Sequence, residues 1–230
     1  MCENARFVRR VFSDDERDHI LSSADQDLEI WAGWAAKEAA YKVVSKLRGE
    51  PPIFVHRLFE VRWDPGTAHA THPGSVPSPS RFGAVRYEGM SLPVEVRASP
   101  RDGHVHALSW HVVGQERASP NASRVAWTVE RIERPDAPWS DRLEELERQL
   151  TERERDGVHS RLSAAVRIGA RAEAADLLGV DSSRVEVVCR PGRTGRRPPM
   201  LLVDGAPASI DVSLSHDGPW IAWALAPVGT

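Results

Sequence analysis

The chain has 230 residues, long enough for one large domain or two small ones with a real core. Hydrophobic residues make up 41% and charged residues 27%, the balance of a globular protein. The net charge of −3 excludes a global electrostatic pull toward nucleic acid or an anionic membrane. No apolar run approaches the ~18 residues of a membrane span, and the start "MCENARFVRR" lacks the apolar core of a signal peptide. The two cysteines, Cys2 and Cys189, make no disulfide framework, which fits a reducing, cytoplasmic setting. Arginine dominates the 30 basic residues. Guanidinium groups suit phosphate because they bind it bidentately and keep their charge.

In chain order, "SDDE" (Ser13–Glu16) opens a helix. Ser13 is a good N-cap and Glu16 stands at the third helical position, a capping box. "EIWAGWAAKEAAYKVVSKL" (Glu29–Leu47) reads as a second helix, with Lys37, Glu38 and Lys42 beside Trp34 and Tyr41. "IFVHRLFEVRW" (Ile53–Trp63) alternates and predicts a strand. A Pro/Gly/Ser-rich loop follows over Asp64–Ser80. Its His69 and His72 are set aside as metal ligands because no rigid frame holds them. "GAVRYEG", "LPVEVRA" and "HVHALSWHVV" predict short strands, and "GQERASPNAS" (Gly114–Ser123) a linker.

"RVAWTVERI" (Arg124–Ile132) then reads as a strand and "SDRLEELERQLTERERDGVHSRL" as helix. Thr151 and Glu154 form a second capping box within it, where the helix can restart. "RIGARAEAADLLGV" predicts another helix with Gly179 as C-cap. "RVEVVCR", "MLLVDG", "IDVSLSH" and "WIAWALAP" close the chain as strands.

Two stretches occur twice. "RRVFSDDERD" aligns with "ERQLTERERD", setting Ser13 on Thr151 and Glu16 on Glu154, and "AAKEAAYKVV" aligns with "ARAEAADLLG", setting Glu38 on Glu173. The offsets, 154 − 16 = 138 and 173 − 38 = 135, agree within a small gap. A helix–helix–strands unit is therefore expected at 1–115 and again at 123–230. A looser match of "VEVRASPRDGHVHALSW" with "IDVSLSHDGPWIAWAL" sets Ser99 on Ser215 and Pro100 on His216, so the first copy has Lys37, Glu38 and Lys42 but no His after Ser99. The second has Ser215 and His216 but Ala172 and Leu177 at the two lysine positions. Such complementary loss is expected if one site draws half its groups from each copy. Two units of one origin that drifted independently would look the same.

The run Trp34-Ala35-Ala36-Lys37-Glu38-Ala39-Ala40-Tyr41-Lys42, preceded by Phe12 to Glu16, resembles the 4′-phosphopantetheinyl transferases, including holo-acyl-carrier-protein synthase. Ser213-Leu214-Ser215-His216 followed by Asp217 and Gly218 resembles a second motif of that family. The resemblance implies an α+β fold of two tandem units, each with helices packed on a small antiparallel sheet, forming a pseudo-twofold dimer in a monomeric chain. It also implies one site at the interface of the units. In the family's larger members the Ser-His unit comes first; here the order is reversed.

The resemblance implies transfer of 4′-phosphopantetheine from coenzyme A to a serine of an apo acyl or peptidyl carrier protein. The implied cofactor is Mg²⁺, bridging the pyrophosphate through hard oxygen ligands. Glu38 is the expected metal ligand and base, and Lys42, one turn on along the same face, the expected phosphate contact. A solvent-exposed i,i+4 salt bridge is the plainer reading of that pair. Lys37, Ser215, His216, Arg161, Arg171 and Arg197 are the further coenzyme A candidates, with Arg193 and Arg196 beside the last. A satisfied structural histidine is the plainer reading of His216. The family's metal-ligand Asp has no counterpart: Thr128 stands at its position, with Glu130 two residues on as a second candidate ligand. A degenerate, non-catalytic member that binds coenzyme A or a carrier protein is the alternative.

Overall fold

The computed structural model describes residues 5–65, 80–99, 102–111, 125–132, 142–193 and 195–228. His69, His72 and the expected linker Gly114–Ser123 lie outside the described residues. The chain forms two compact units, Met1–Val112 and Val113–Thr230, taken in turn below.

The first unit opens with helix α1 (Ala5–Val11) and helix α2 (Asp14–Ser22), started by Ser13 and Glu16 in a reciprocal capping box. Asp14, Asp15 and Glu16 in the first turn of α2 suit the positive end of the helix dipole. Helix α3 (Gln26–Arg48) is capped by the Asp25 side chain and ends on Gly49 at φ 71°, a left-handed cap that glycine adopts without steric cost. Its small residues Ala32, Ala36 and Ala40, with Val44, form the buried stripe. They pack on the inner faces of an antiparallel meander of β1 (Glu60–Trp63), β2 (Ser80–Tyr87), β3 (Met90–Ser99) and β4 (His104–Ser109), in that spatial order. Phe59, Val61, Val85, Tyr87, Leu92, Val94 and Val96 complete this core.

The expected strand from Ile53 to Trp63 is corrected. Only Glu60–Trp63 is a strand, and His56–Leu58 is a single 3-10 turn. The cause is local: the Lys37 ammonium draws in the carbonyls of His56 (3.3 Å) and Phe59 (2.5 Å), so the segment curls around it.

In the second unit, β5 (Ala126–Arg131) precedes three helices. The expected long helix is broken into α4 (Leu143–Glu147), α5 (Glu152–Arg155) restarting at the Thr151 capping box, and α6 (Arg161–Leu178), which begins earlier than "RIGARAEAADLLGV" predicts. The break before α6 falls at Gly157, where a Cβ would stand 2.6 Å from the Arg167 guanidinium. α6 ends on Gly179 as expected.

The strands that follow are β6 (Val185–Val188), the short pair β7 (Pro191–Gly192) and β8 (Gly195–Arg196), β9 (Met200–Val203), β10 (Ala206–Pro207), β11 (Ile210–Asp217) and β12 (Trp220–Pro227). They form antiparallel sheets in the orders β10-β9-β6 and β11-β12-β5, with β7 and β8 as a separate hairpin. α6 buries Ala164, Ala165, Ala170, Ala174 and Ala175 with Val185, Val187, Val212, Ile221 and Leu225. Gly169 is needed for close approach: a Cβ there would meet the Trp223 ring at 2.5 Å. β5 lies against the closing hairpin, a place for which the first unit has no strand among its described residues.

Candidate functional site

Each unit is organised around one buried glutamate. In the first, Glu16 closes the capping box by accepting the Ser13 N–H at 2.7 Å. It also accepts the Val61 N–H at 2.7 Å and meets Lys37 Nζ at 2.8 Å. In the second, Glu154 accepts the Thr151 N–H and the Val187 N–H, each at 2.9 Å, and meets Arg171 at 3.0 Å. A buried carboxylate must be fully hydrogen-bonded or it costs several kcal/mol. Both units meet that demand with a helix start, a strand amide and a cation from the long helix.

This arrangement decides the fate of two expected coenzyme A contacts. Lys37 is 0% exposed, and its three N–H donors go to Glu16 and the carbonyls of His56 and Phe59. Burial pushes its ammonium pKa down, and Glu16 opposes that shift. Arg171, with only 12% of its side chain exposed, is held by Glu154. Both cations are committed inside their own units. The alignment that set Ala172 against Lys37 missed that Arg171, one residue earlier, carries the matching charge.

Glu38 and Lys42 lie on the partly exposed side of α3. Desolvation by burial lowers the Lys42 pKa; the Glu38 carboxylate opposes that shift and Lys46 adds to it. Lys42 also acts on the edge strand. His106 on β4 is pushed down to about 4, first by burial, then by Lys42, His104 and Arg97. Trp34, just before Lys37, stacks on His56 with ring centroids 4.6 Å apart and packs near Phe7. Tyr41 stacks on Phe54 at 4.3 Å and donates its hydroxyl to the Pro52 carbonyl at 3.2 Å.

A cavity of about 630 Å³ also lies in the first unit, but around the other half of α3. Phe12, Ile20, Leu28 and Ala32 contribute its apolar wall, and Arg81 sits at its rim, paired with Glu29 and stacked over Trp63 at 4.1 Å. Neither Glu38 nor Lys42 lines it.

In the second unit the strand register gathers several expected residues. His216 and Glu130 both stand opposite Ile221, one from β11 and one from β5, so all three point to the same face of the sheet. The His159 ring lies 5.8 Å from that of His216, and Arg161 donates to the Ile132 carbonyl at 3.3 Å. Ser215 faces the opposite side, opposite Ala222. Arg193, Arg196 and Arg197 are exposed on or beside the β7–β8 hairpin, away from this row in sequence.

The sequence did not show what surrounds Glu173. Its carboxylate accepts the Thr128 hydroxyl at 3.0 Å and the Trp223 indole N–H. Thr128 stands at the position of the family's absent aspartate, and Glu173 at the counterpart of Glu38. The two aligned positions therefore meet side by side. The signal lay in that pair of alignments, but only the β12–β5 pairing brings Thr128 under α6.

These features define a class: α+β units in which a long helix bearing a carboxylate crosses an antiparallel meander. Residues 2–85 match the model of the 4′-phosphopantetheinyl transferase superfamily. The match contains Phe12 to Glu16 and the whole Trp34–Lys42 run, so the resemblance read from those residues is shown for this segment. It points to transfer of a phosphopantetheine group in general terms. No curated protein and no solved structure matches the chain. Among the described residues, no helix is long and apolar enough to cross a membrane.

Proposed function

We propose that the protein transfers 4′-phosphopantetheine from coenzyme A to a serine of an apo acyl or peptidyl carrier protein. The observation that carries this reading is the family match over residues 2–85 together with Glu38 and Lys42 one turn apart on α3, their side chains half-buried and their charges coupled. In this reading Glu38 is ligand to Mg²⁺ and base for the carrier serine, and Lys42 holds a phosphate oxygen. The candidates within the second unit are His216, Ser215, Arg161 and Arg197 for coenzyme A and Glu130 as a carboxylate. Lys37 and Arg171 are left out, since their charges are neutralised within their own units.

The donors fit Mg²⁺ in a restricted way. Among the described residues no group of three or more His, Cys, Asp or Glu could hold a metal ion. Mg²⁺ is commonly bound by one or two carboxylates, with substrate phosphates and waters supplying the rest. Glu38 would meet that need as a single carboxylate only when the pyrophosphate is present. The ion would offset charge on the leaving 3′,5′-ADP. Glu38 takes the proton of the serine hydroxyl as its oxygen attacks phosphorus, and Lys42 steadies the phosphoryl oxygens.

The test is incubation with coenzyme A, Mg²⁺ and a panel of apo carrier proteins, read by mass. The expected result is a gain of one phosphopantetheine arm on a carrier. Saturable coenzyme A binding without any gain favours the second reading, a non-catalytic member, for which the absent aspartate speaks. Neither binding nor gain overturns both.

A further inference from the structure

Arg167 on α6 is a buried cation, 5% exposed, with no carboxylate partner among the described residues. Its guanidinium donates to the Ser163 carbonyl and hydroxyl, each at 2.7 Å, to the Gly157 carbonyl at 3.0 Å and to Cys189 Sγ at 3.5 Å. Its remaining donor, Nε–H, has no acceptor among the described residues. A buried charge is normally paired, and a buried donor left without a partner is costly. Glu154 and Glu186 are used elsewhere, by Arg171 and Arg153.

Cys189 is the one thiol among the groups that this cation contacts. It is a free thiol, partly exposed, at the end of β6. Arg190 follows it and is exposed, and Arg196 donates to the Cys189 carbonyl at 3.0 Å. An electropositive, partly accessible setting is what distinguishes reactive cysteines from inert buried ones. Neither residue takes part in the reaction proposed above.

We propose that Cys189 is a redox modification site, oxidised by a hydroperoxide to a sulfenic acid that Arg167 retains. In the step, Sγ attacks one peroxide oxygen, an S–O bond forms and the O–O bond breaks. Sulfur gives up two electrons to the peroxide, which leaves as water or an alcohol carrying the thiol proton. The new oxygen is a strong acceptor for Arg167 Nε–H, the donor that lacks one. Because Arg167 also ties Gly157 to Ser163, oxidation acts on the turn that launches α6 and carries His159 and Arg161.

The test treats the full chain with hydrogen peroxide in the presence of dimedone, a sulfenic-acid trap, and compares labelling of Cys189 in the native chain and in urea by peptide mass spectrometry. Labelling about tenfold faster in the native state is expected, as is loss of most of that advantage in Arg167→Met. Equal or slower labelling in the native chain overturns the proposal, whether or not Arg167→Met folds. Unchanged labelling in a folded Arg167→Lys and a folded Arg167→Met together also overturns it, because the guanidinium would then play no part.

Discussion

The two units solve one packing problem with the same parts and then diverge at one position. Glu16–Lys37 and Glu154–Arg171 are equivalent buried struts, each joining a capping box, a strand amide and the long helix. One or two residues further on, the helices differ. Glu38 in the first unit is paired electrostatically with Lys42 on a partly exposed side. Glu173 in the second is held by Thr128 and Trp223, two neutral donors. One carboxylate has a cationic partner on its own helix and the other is held by two donors from the sheet beneath it. The shared part is structural, and the divergent part is where chemistry can differ.

The sharpest way to break this comparison is to remove the charge from each carboxylate in turn. Glu38→Gln should lower phosphopantetheine transfer by at least about 100-fold, the scale of a lost general base. Glu173→Gln should leave the rate within a few-fold and lower the melting temperature. A Glu173 variant that matches Glu38→Gln in lost turnover would show that the division of labour is wrong.

Next in size are the struts. Glu16→Ala and Glu154→Ala each strand a buried cation and should cost about 3–5 kcal/mol in urea unfolding. Replacing both members, as in Glu16→Leu with Lys37→Met, should cost much less than the single change. If the double change is as damaging as Glu16→Ala, the hydrogen bonds to Ser13 and Val61 matter more than the ion pair.

An acid-limb effect should mark the first unit. The folded pKa of His106 is about 4 against 6.5 for a free histidine. Between those values the unfolded chain binds a proton that the folded chain refuses, so stability falls as pH drops from 6.5 toward 4. His106→Leu should flatten that part of the stability–pH curve. An unchanged slope would show that another group causes it.

The smallest effect is expected at Thr128. Thr128→Val removes one hydrogen bond to Glu173 while Trp223 still donates, so a loss of about 1 kcal/mol should follow. A much larger loss would mean that the threonine, not the indole, holds the carboxylate.

Much of this was legible in the chain. Both capping boxes and the Gly179 C-cap follow from short-range rules, because the groups they satisfy lie within one turn of the cap. The Trp34–Lys42 run was legible as a family motif because its residues are contiguous. What misled was charge. Lys37 looks like a surface or ligand-binding residue, since lysines are rarely buried. Its burial depends on Glu16 and on two carbonyls from a segment that seemed a strand. Arg171 misled in the same way. The strand error at Ile53–Phe59 and the burial of Lys37 are one event seen from two sides.

By itself the sequence determined where helices start and stop, which stretches repeat, and the resemblance carried by residues around Glu38. Those are properties of neighbours along the chain. Only the tertiary structure decided which charged residues are spent on the fold. Lys37, Arg171 and Arg167 differ from Lys42 and Arg161 by what the sheet and the turns bring against them. That choice is set by desolvation and by acceptors remote in sequence, which no local pattern records.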